Sequence, residues 1–279
     1  MNTIHFPPTE RLEPQARPAL YWALADAFVV AKRQIMQIPR IPDELITATL
    51  QPAIVVLLFR YIIGGAITIP GTSYVNYLMA GVFVQSVVFG SATTGVGVAN
   101  DLQRGLIDRF RSLPMAQSAV LTGRVLADLI RGLFIILVTW AIGLLVGFRP
   151  EGTLLSWIAA SGLLLFTSFV FSWLSALVGL LLRSVEAVQQ AGMIWILPFV
   201  FASGAFAPTN TMPDWLHTFA EHQPVSLMMD AVRGLLLNHP VASSTIWQVF
   251  AWYIGLLVVF IPLSVWFYRH RFQSPTGPT

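Results

Sequence analysis

Residues 100–116 read NDLQRGLIDRFRSLPMA, a run with three arginines and two aspartates set between two long apolar stretches. Charge at that density does not stay in a hydrocarbon layer, so the run must reach water. Leu102, Leu106, Phe110 and Leu113 recur every three or four positions, and Asp101, Arg104, Asp108 and Arg111 recur at the same interval on the opposite side. That spacing predicts a short amphipathic helix, supported by charges three or four apart and ended by Pro114. Such a helix can press its leucines on a membrane while showing charge to a soluble partner. On the residues alone, an interfacial loop that anchors at the headgroups is an equal alternative.

The rest of the chain sets the context for that run. Of 279 residues, 56% are hydrophobic and 10% charged, far below the roughly one quarter charged expected of a soluble domain. The composition therefore predicts an all-α polytopic membrane protein. Cysteine is absent, which removes disulfides and any thiol nucleophile or thiolate metal site. Nothing forms the basic patch a nucleic-acid partner would need. The only lysine, Lys32, follows Ala31 with no glycine nearby. A phosphate-cradling G-x-x-x-x-G-K-[ST] loop cannot be built around it, so ATP-driven work has to come from another polypeptide.

In chain order, residues 1–18 read as an irregular tail without the layout of a signal peptide. Residues 19–40 keep an apolar stripe broken by Asp26, Lys32, Arg33 and Gln37, which predicts a helix lying on the membrane surface. Within 41–268, spans are expected at 45–63, 74–98, 132–148, 154–182, 187–205 and 246–268, six in all. Pro52 should kink the first, and Arg60 near its end either snorkels to the headgroups or lines a passage. The run Gly90, Ser91, Ala92, Gly95 and Gly97 in the second permits close helix approach. Arg124, Asp128 and Arg131 mark the start of the third, where Arg124 and Asp128 can pair four residues apart. Residues 206–241 are too polar to span and too apolar for a free loop, so they predict two short helices dipping into the outer leaflet, starting near Pro213 and Pro224. A tail follows at 269–279.

With six spans, thirteen of the basic residues fall on the side of the termini and only Arg149 and Arg233 on the other. The positive-inside rule then makes both termini and the 100–116 run cytoplasmic. Asn76, Gln85, Met193 and Trp195, with Arg60, are candidates for a substrate path, although Trp and Met within spans more often serve packing.

Two other classes compete with transport driven from outside. An intramembrane serine protease needs a histidine within the bilayer, but all five histidines lie in tails or in the 206–241 insert. His217 and His222, five apart with Glu221 between, do not reproduce the H-E-x-x-H helix face required for zinc. A proton-coupled secondary transporter usually carries a carboxylate near mid-bilayer; Asp128 reads instead as a helix-start residue.

Two stretches resemble a known family. NDLQRGLIDRFRSLPMAQSAVLTGRVLADLIR is similar to the loop after the second span of ABC transporter type-2 permeases through Gly105, Asp108, Arg109, Leu113 and Pro114. SGAFAPTNTMPDWLHTFAEHQPVSLMMDAVRGLLL resembles their re-entrant segment before the last span through Ser203, Gly204, Pro208, residues 212–216, residues 223–226 and Arg233. The daunorubicin-resistance type of drug or lipid exporter is the nearest in character. The resemblance implies a dimer of permeases, homomeric or heteromeric, on two ATPase subunits that bind the ATP and Mg; this chain itself holds no cofactor. It implies that 100–116 is the coupling helix, with Arg104, Gly105, Asp108, Arg109, Arg111, Leu113 and Pro114 meeting the ATPase. An amphiphilic drug-like or lipid substrate would pass between protomers along the first, second and fifth spans. One departure is Arg104, which stands where the family commonly has an acidic residue.

Overall fold

The computed structural model of the chain describes residues 32, 42–67, 69–105, 117–182, 184–209 and 212–270. Among these, all regular structure is helical. The tails, the body of the expected surface helix at 19–40, and residues 106–116 lie outside the described residues.

The helices are α1 (Pro42–Leu58), α2 (Tyr74–Gln103), α3 (Gln117–Val146), α4 (Leu154–Leu181), α5 (Val185–Phe201), α6 (Asp214–His222), α7 (Pro224–Leu236) and α8 (Ser243–His270). A five-residue π-helical turn, Phe59–Ile63, extends α1. Among the described residues, five segments are long and apolar enough to cross a membrane: Ile46–Ile63, Tyr74–Gln103, Val120–Val146, Leu154–Leu181 and Ser243–Tyr268. The fifth expected span, 187–205, corresponds to α5, which is apolar but has only 17 residues. That is about 26 Å of helix, at the short end for a crossing.

Local sequence explains most of the boundaries. Ser73, Thr153 and Ser184 cap α2, α4 and α5 by accepting from backbone N–H groups three residues on, which satisfies donors that a helix start leaves orphaned. Helix α3 ends in a Schellman turn: Gly147 takes φ +101°, and the amides of Gly147 and Phe148 donate to Leu144 O and Gly143 O. Pro213 immediately precedes α6 and Pro224 opens α7, where a missing N–H costs nothing. The two short helices expected in the 206–241 insert are therefore present.

One expectation needs correction. Residues Asn100–Gln103 do not begin a separate helix; they are the last turn of α2, closed by Arg104 and by Gly105 at φ +62°. The third helix runs unbroken from Gln117, so the charged first turns expected at Arg124, Asp128 and Arg131 belong to the same rod as its apolar body.

Helices α2 and α4 form the centre of the bundle and make the most extensive contact in it. Helices α3, α5 and α7 each touch both, α1 leans on α2 and α3, and α8 on α4 and α7. Trp140 of α3 packs between Phe83 of α2 and Trp157 of α4, with ring centroids 5.0 and 5.1 Å away. Phe171 of α4 stacks on Trp195 of α5 and meets Tyr253 of α8 edge-on. Large apolar side chains such as Ile46, Leu145, Ile194, Trp247 and Val258 stay exposed on the bundle's flank, as expected where lipid rather than water is the neighbour.

Candidate functional site

The charged segment lies between the end of α2 and the beginning of α3. These helices are antiparallel and are cross-linked there by polar side chains. Arg124 pairs with Asp101, 23 positions away in sequence. One to two turns further in, Thr94 donates its hydroxyl to Asp128, which also accepts from Arg131 Nη1 at 3.0 Å. Arg131 in turn reaches the Thr93 hydroxyl. Asp128 is only 6% exposed and Thr94 fully buried; stripping one partner from such a buried charge typically costs about 3 kcal/mol or more.

In place of the expected Arg124–Asp128 pair within α3, Arg124 pairs across to α2, while Asp128 pairs with Arg131 on its own helix and accepts the Thr94 hydroxyl from α2. Both side chains project from α3 toward α2, and Gly97 leaves room for the guanidinium: a Cβ built there would collide with it. Thr93 and Thr94 were not legible as partners, because threonine in an apolar helix normally bonds its own preceding turn. A usable signal was the seven-residue spacing of Thr94 from Asp101 and of Arg124 from Arg131, which puts each pair on one helix face.

At the opposite end, the insert is pinned onto the bundle. Arg233 of α7 donates to Gly204 O at 2.7 Å and to Asp230 at 2.7 Å, and its guanidinium lies 4.0 Å over the Tyr77 ring of α2. Tyr77 also donates to Gly204 O, and Gln223 ties α7 to Phe199 O of α5. Most of α7 is buried, so the insert belongs to the core of that end. A polar cavity of about 440 Å³ opens there, lined by Tyr77, His217, Glu221, Asp230, Arg233 and Gln248 among others. Desolvation at its rim pushes the Asp230 carboxyl up, against the attraction of Arg233 and with some help from Glu221. No group of three His, Asp or Glu among the described residues is arranged to hold a metal ion. A separate apolar groove of about 640 Å³ runs between α4, α5, α6 and α8, walled by Phe171, Trp195, Phe199, Phe219, Trp252 and Phe260.

The residues singled out from sequence fall in different settings. Arg104 and Gly105 close α2; Asp108, Arg109, Arg111, Leu113 and Pro114 lie outside the described residues. Arg60 sits half-buried in the π-helical turn, its guanidinium 5.6 Å from the Tyr61 ring. Asn76 is buried and accepts the backbone N–H of Arg149 at 3.0 Å. Gln85 is 4% exposed, with its Oε1 unpartnered among the described residues. Met193 is half exposed on α5, and Trp195 on the same helix lines the apolar groove.

Comparison with known proteins places this architecture. A daunorubicin resistance ABC transporter permease protein of Streptomyces coeruleorubidus is 34% identical over 258 residues, covering 91% of this chain and 90% of its own length. A probable doxorubicin resistance ABC transporter permease protein of Mycobacterium tuberculosis is 32% identical over 195 residues, 67% of this chain and 69% of its own. A putative transport permease of Porphyra purpurea is 26% identical over 227 residues, 78% and 76% of the two chains. The ABC-2 type transporter family matches residues 26–237, and with three quarters of its length inside that match, the chain belongs to this family as a permease subunit.

Proposed function

We propose that the chain is the membrane half of an ATP-driven exporter that moves amphiphilic, drug-like or lipid molecules out of the cytoplasm or the inner leaflet. The observation that carries this reading is the combination of a P-loop-free, membrane-embedded body with a charged segment held by two interlocked helices. In this reading residues 104–116 form the coupling helix, cytoplasmic like both termini, and Arg104, Gly105, Asp108, Arg109, Arg111, Leu113 and Pro114 meet the groove of an ABC ATPase. Helix α5 counts as a sixth crossing and α6 and α7 as a re-entrant insert on the outer side. Two such permeases, identical or paralogous, stand on two ATPase subunits that bind ATP and Mg.

Substrate moves between the protomers, with Arg60, Asn76, Gln85, Met193 and Trp195 near its route. The names of the relatives support daunorubicin or doxorubicin as a first cargo to test, and an aromatic-rich membrane body suits a flat amphiphile. Each ATP cycle shifts the pair between inward and outward states, which requires that the ATPase dimer prefer one of them.

The test is reconstitution with the cognate ATPase in inverted vesicles. ATP-dependent daunorubicin uptake is expected in the complex and no ATP hydrolysis in the permease alone. Asp108→Ala and Arg109→Ala should insert normally and lose coupled uptake. Wild-type uptake by both variants would remove the coupling assignment.

A further inference from the structure

Helix α2 leads into the charged segment and α3 leads out of it, so any push on the segment arrives at both together. Apolar packing between helices in lipid gives little resistance to sliding or rotation, because one set of methyl contacts is exchanged for another. Short polar links in a low-dielectric setting resist both, since breaking one leaves a charge uncompensated. The α2–α3 pair carries two such links: Asp101 with Arg124, and Thr94 with Asp128 and Arg131. Their α2 anchors are seven residues apart, about 10 Å along the axis, and two attachment points fix register and rotation at once. Toward the far end the helix-to-helix contacts turn apolar, with Gly90 facing Ile135 and Gly143 facing Met79, and a neutral hydrogen bond joins Asn76 of α2 to the backbone of Arg149 just past α3. The charged links lie at the end that adjoins the segment.

We propose that these links make α2 and α3 a single lever for residues 104–116, with Thr94, Asp101, Arg124 and Asp128 as positioning residues of ATP-coupled transport. The proposal rests on the reading that this segment receives work from the ATPase. The four residues touch neither ATP nor cargo; they keep the pushed end of both helices in register, so that movement of the segment is carried along them rather than lost as slippage.

The experiment uses the reconstituted complex and measures ATP hydrolysis and daunorubicin uptake on the same vesicles. Arg124→Ala removes one link. Gly97→Ala leaves every charge in place but drives the Arg124 guanidinium off its seat. Both should lower uptake per ATP hydrolysed by about fivefold or more while the apparent affinity for ATP and the hydrolysis rate hold. Exchanging the charges, Asp101→Arg with Arg124→Asp, should recover coupling, and Thr94→Ser should keep what Thr94→Val loses. A readout independent of cargo is a spin-label pair at Asn100→Cys and Leu126→Cys in this cysteine-free chain: Gly97→Ala should broaden the inter-label distance.

Unchanged uptake per ATP in Arg124→Ala and Gly97→Ala, an unbroadened distance, or a fall of hydrolysis and uptake in constant ratio would each overturn the lever. Failure of the underlying reading shows separately, as normal coupling in Asp108→Ala and Arg109→Ala with the lever residues intact.

Discussion

Gly95 of α2 and Gly179 of α4 meet backbone to backbone: a Cβ built on Gly179 would fall on the carbonyl of Gly95, and one on Gly95 would strike the carbonyl of Ser175. The two central helices are in contact here without intervening side chains. Such proximity strengthens dispersion and weak Cα–H···O contacts, which matter more in lipid than in water. Because the obstructing atoms are backbone, neither helix can yield by changing a rotamer.

Gly95→Ala and Gly179→Ala should therefore each destabilise the bundle by about 2 kcal/mol, the usual cost of overpacking. Thermal unfolding of the detergent-solubilised protein measures it. Gly162, inside α4, has nothing among the described residues within 4 Å of a built Cβ, so Gly162→Ala serves as the control and should hold or raise the transition, by up to about 1 kcal/mol from helix preference alone.

Gly105 closes α2 at φ +62°, and none of the described residues lies within 4 Å of a Cβ built on it, so the cost of substitution argued here is the conformational one. Gly105→Ala should strain the turn by about 1 kcal/mol, and Gly105→Asn should cost less because asparagine tolerates the left-handed region. Coupled uptake is expected to follow that order, glycine above asparagine above alanine. Equal uptake in the two variants would show that the exit angle of the chain from α2 is unimportant.

Asp230 gives a pH dependence whose sign can be worked out. Desolvation raises its folded-state pKa above the ordinary 3.8 despite Arg233, so the carboxyl binds its proton more readily in the folded protein. The stabilisation linked to that proton is complete below the unfolded value and lost as pH rises through the folded one. Asp230→Asn should accordingly cost no stability at pH 7 and should flatten the acid limb of a melting-temperature profile. The side chain is 55% exposed, so solvent screening keeps the effect small. A fall in melting temperature at pH 7 would mean that the Arg233 pair outweighs desolvation.

Gln85 keeps a buried amide oxygen without a partner among the described residues, near the centre of α2, a burden that an apolar residue of similar size would lift. Gln85→Met should stabilise the fold by about 1 kcal/mol. If Gln85 contributes to the substrate route, daunorubicin uptake should fall in the same variant. A stabilised protein with undiminished uptake would assign the amide to packing alone.

Much of the molecule is written in local chemistry. The scarcity of charge, the apolar run lengths and the capping residues Ser73, Thr153 and Ser184 determine an all-helical membrane body and most of its boundaries, since these depend on a residue and its near neighbours. Pro213 and Pro224 likewise mark the helices of the insert, and the lone Lys32 excludes a P-loop. The partner of a charge is a different matter. Arg124 reads as the neighbour of Asp128 four residues on, yet it pairs with Asp101 on another helix, while Asp128 pairs with Arg131 three residues on and accepts the Thr94 hydroxyl from across the interface. Only the tertiary structure decides this, because the antiparallel register of α2 and α3 brings Gly97, Asp101 and Thr94 opposite α3. A charge in a low-dielectric setting takes the partners that packing brings within reach, and for Arg124 those lie on the neighbouring helix.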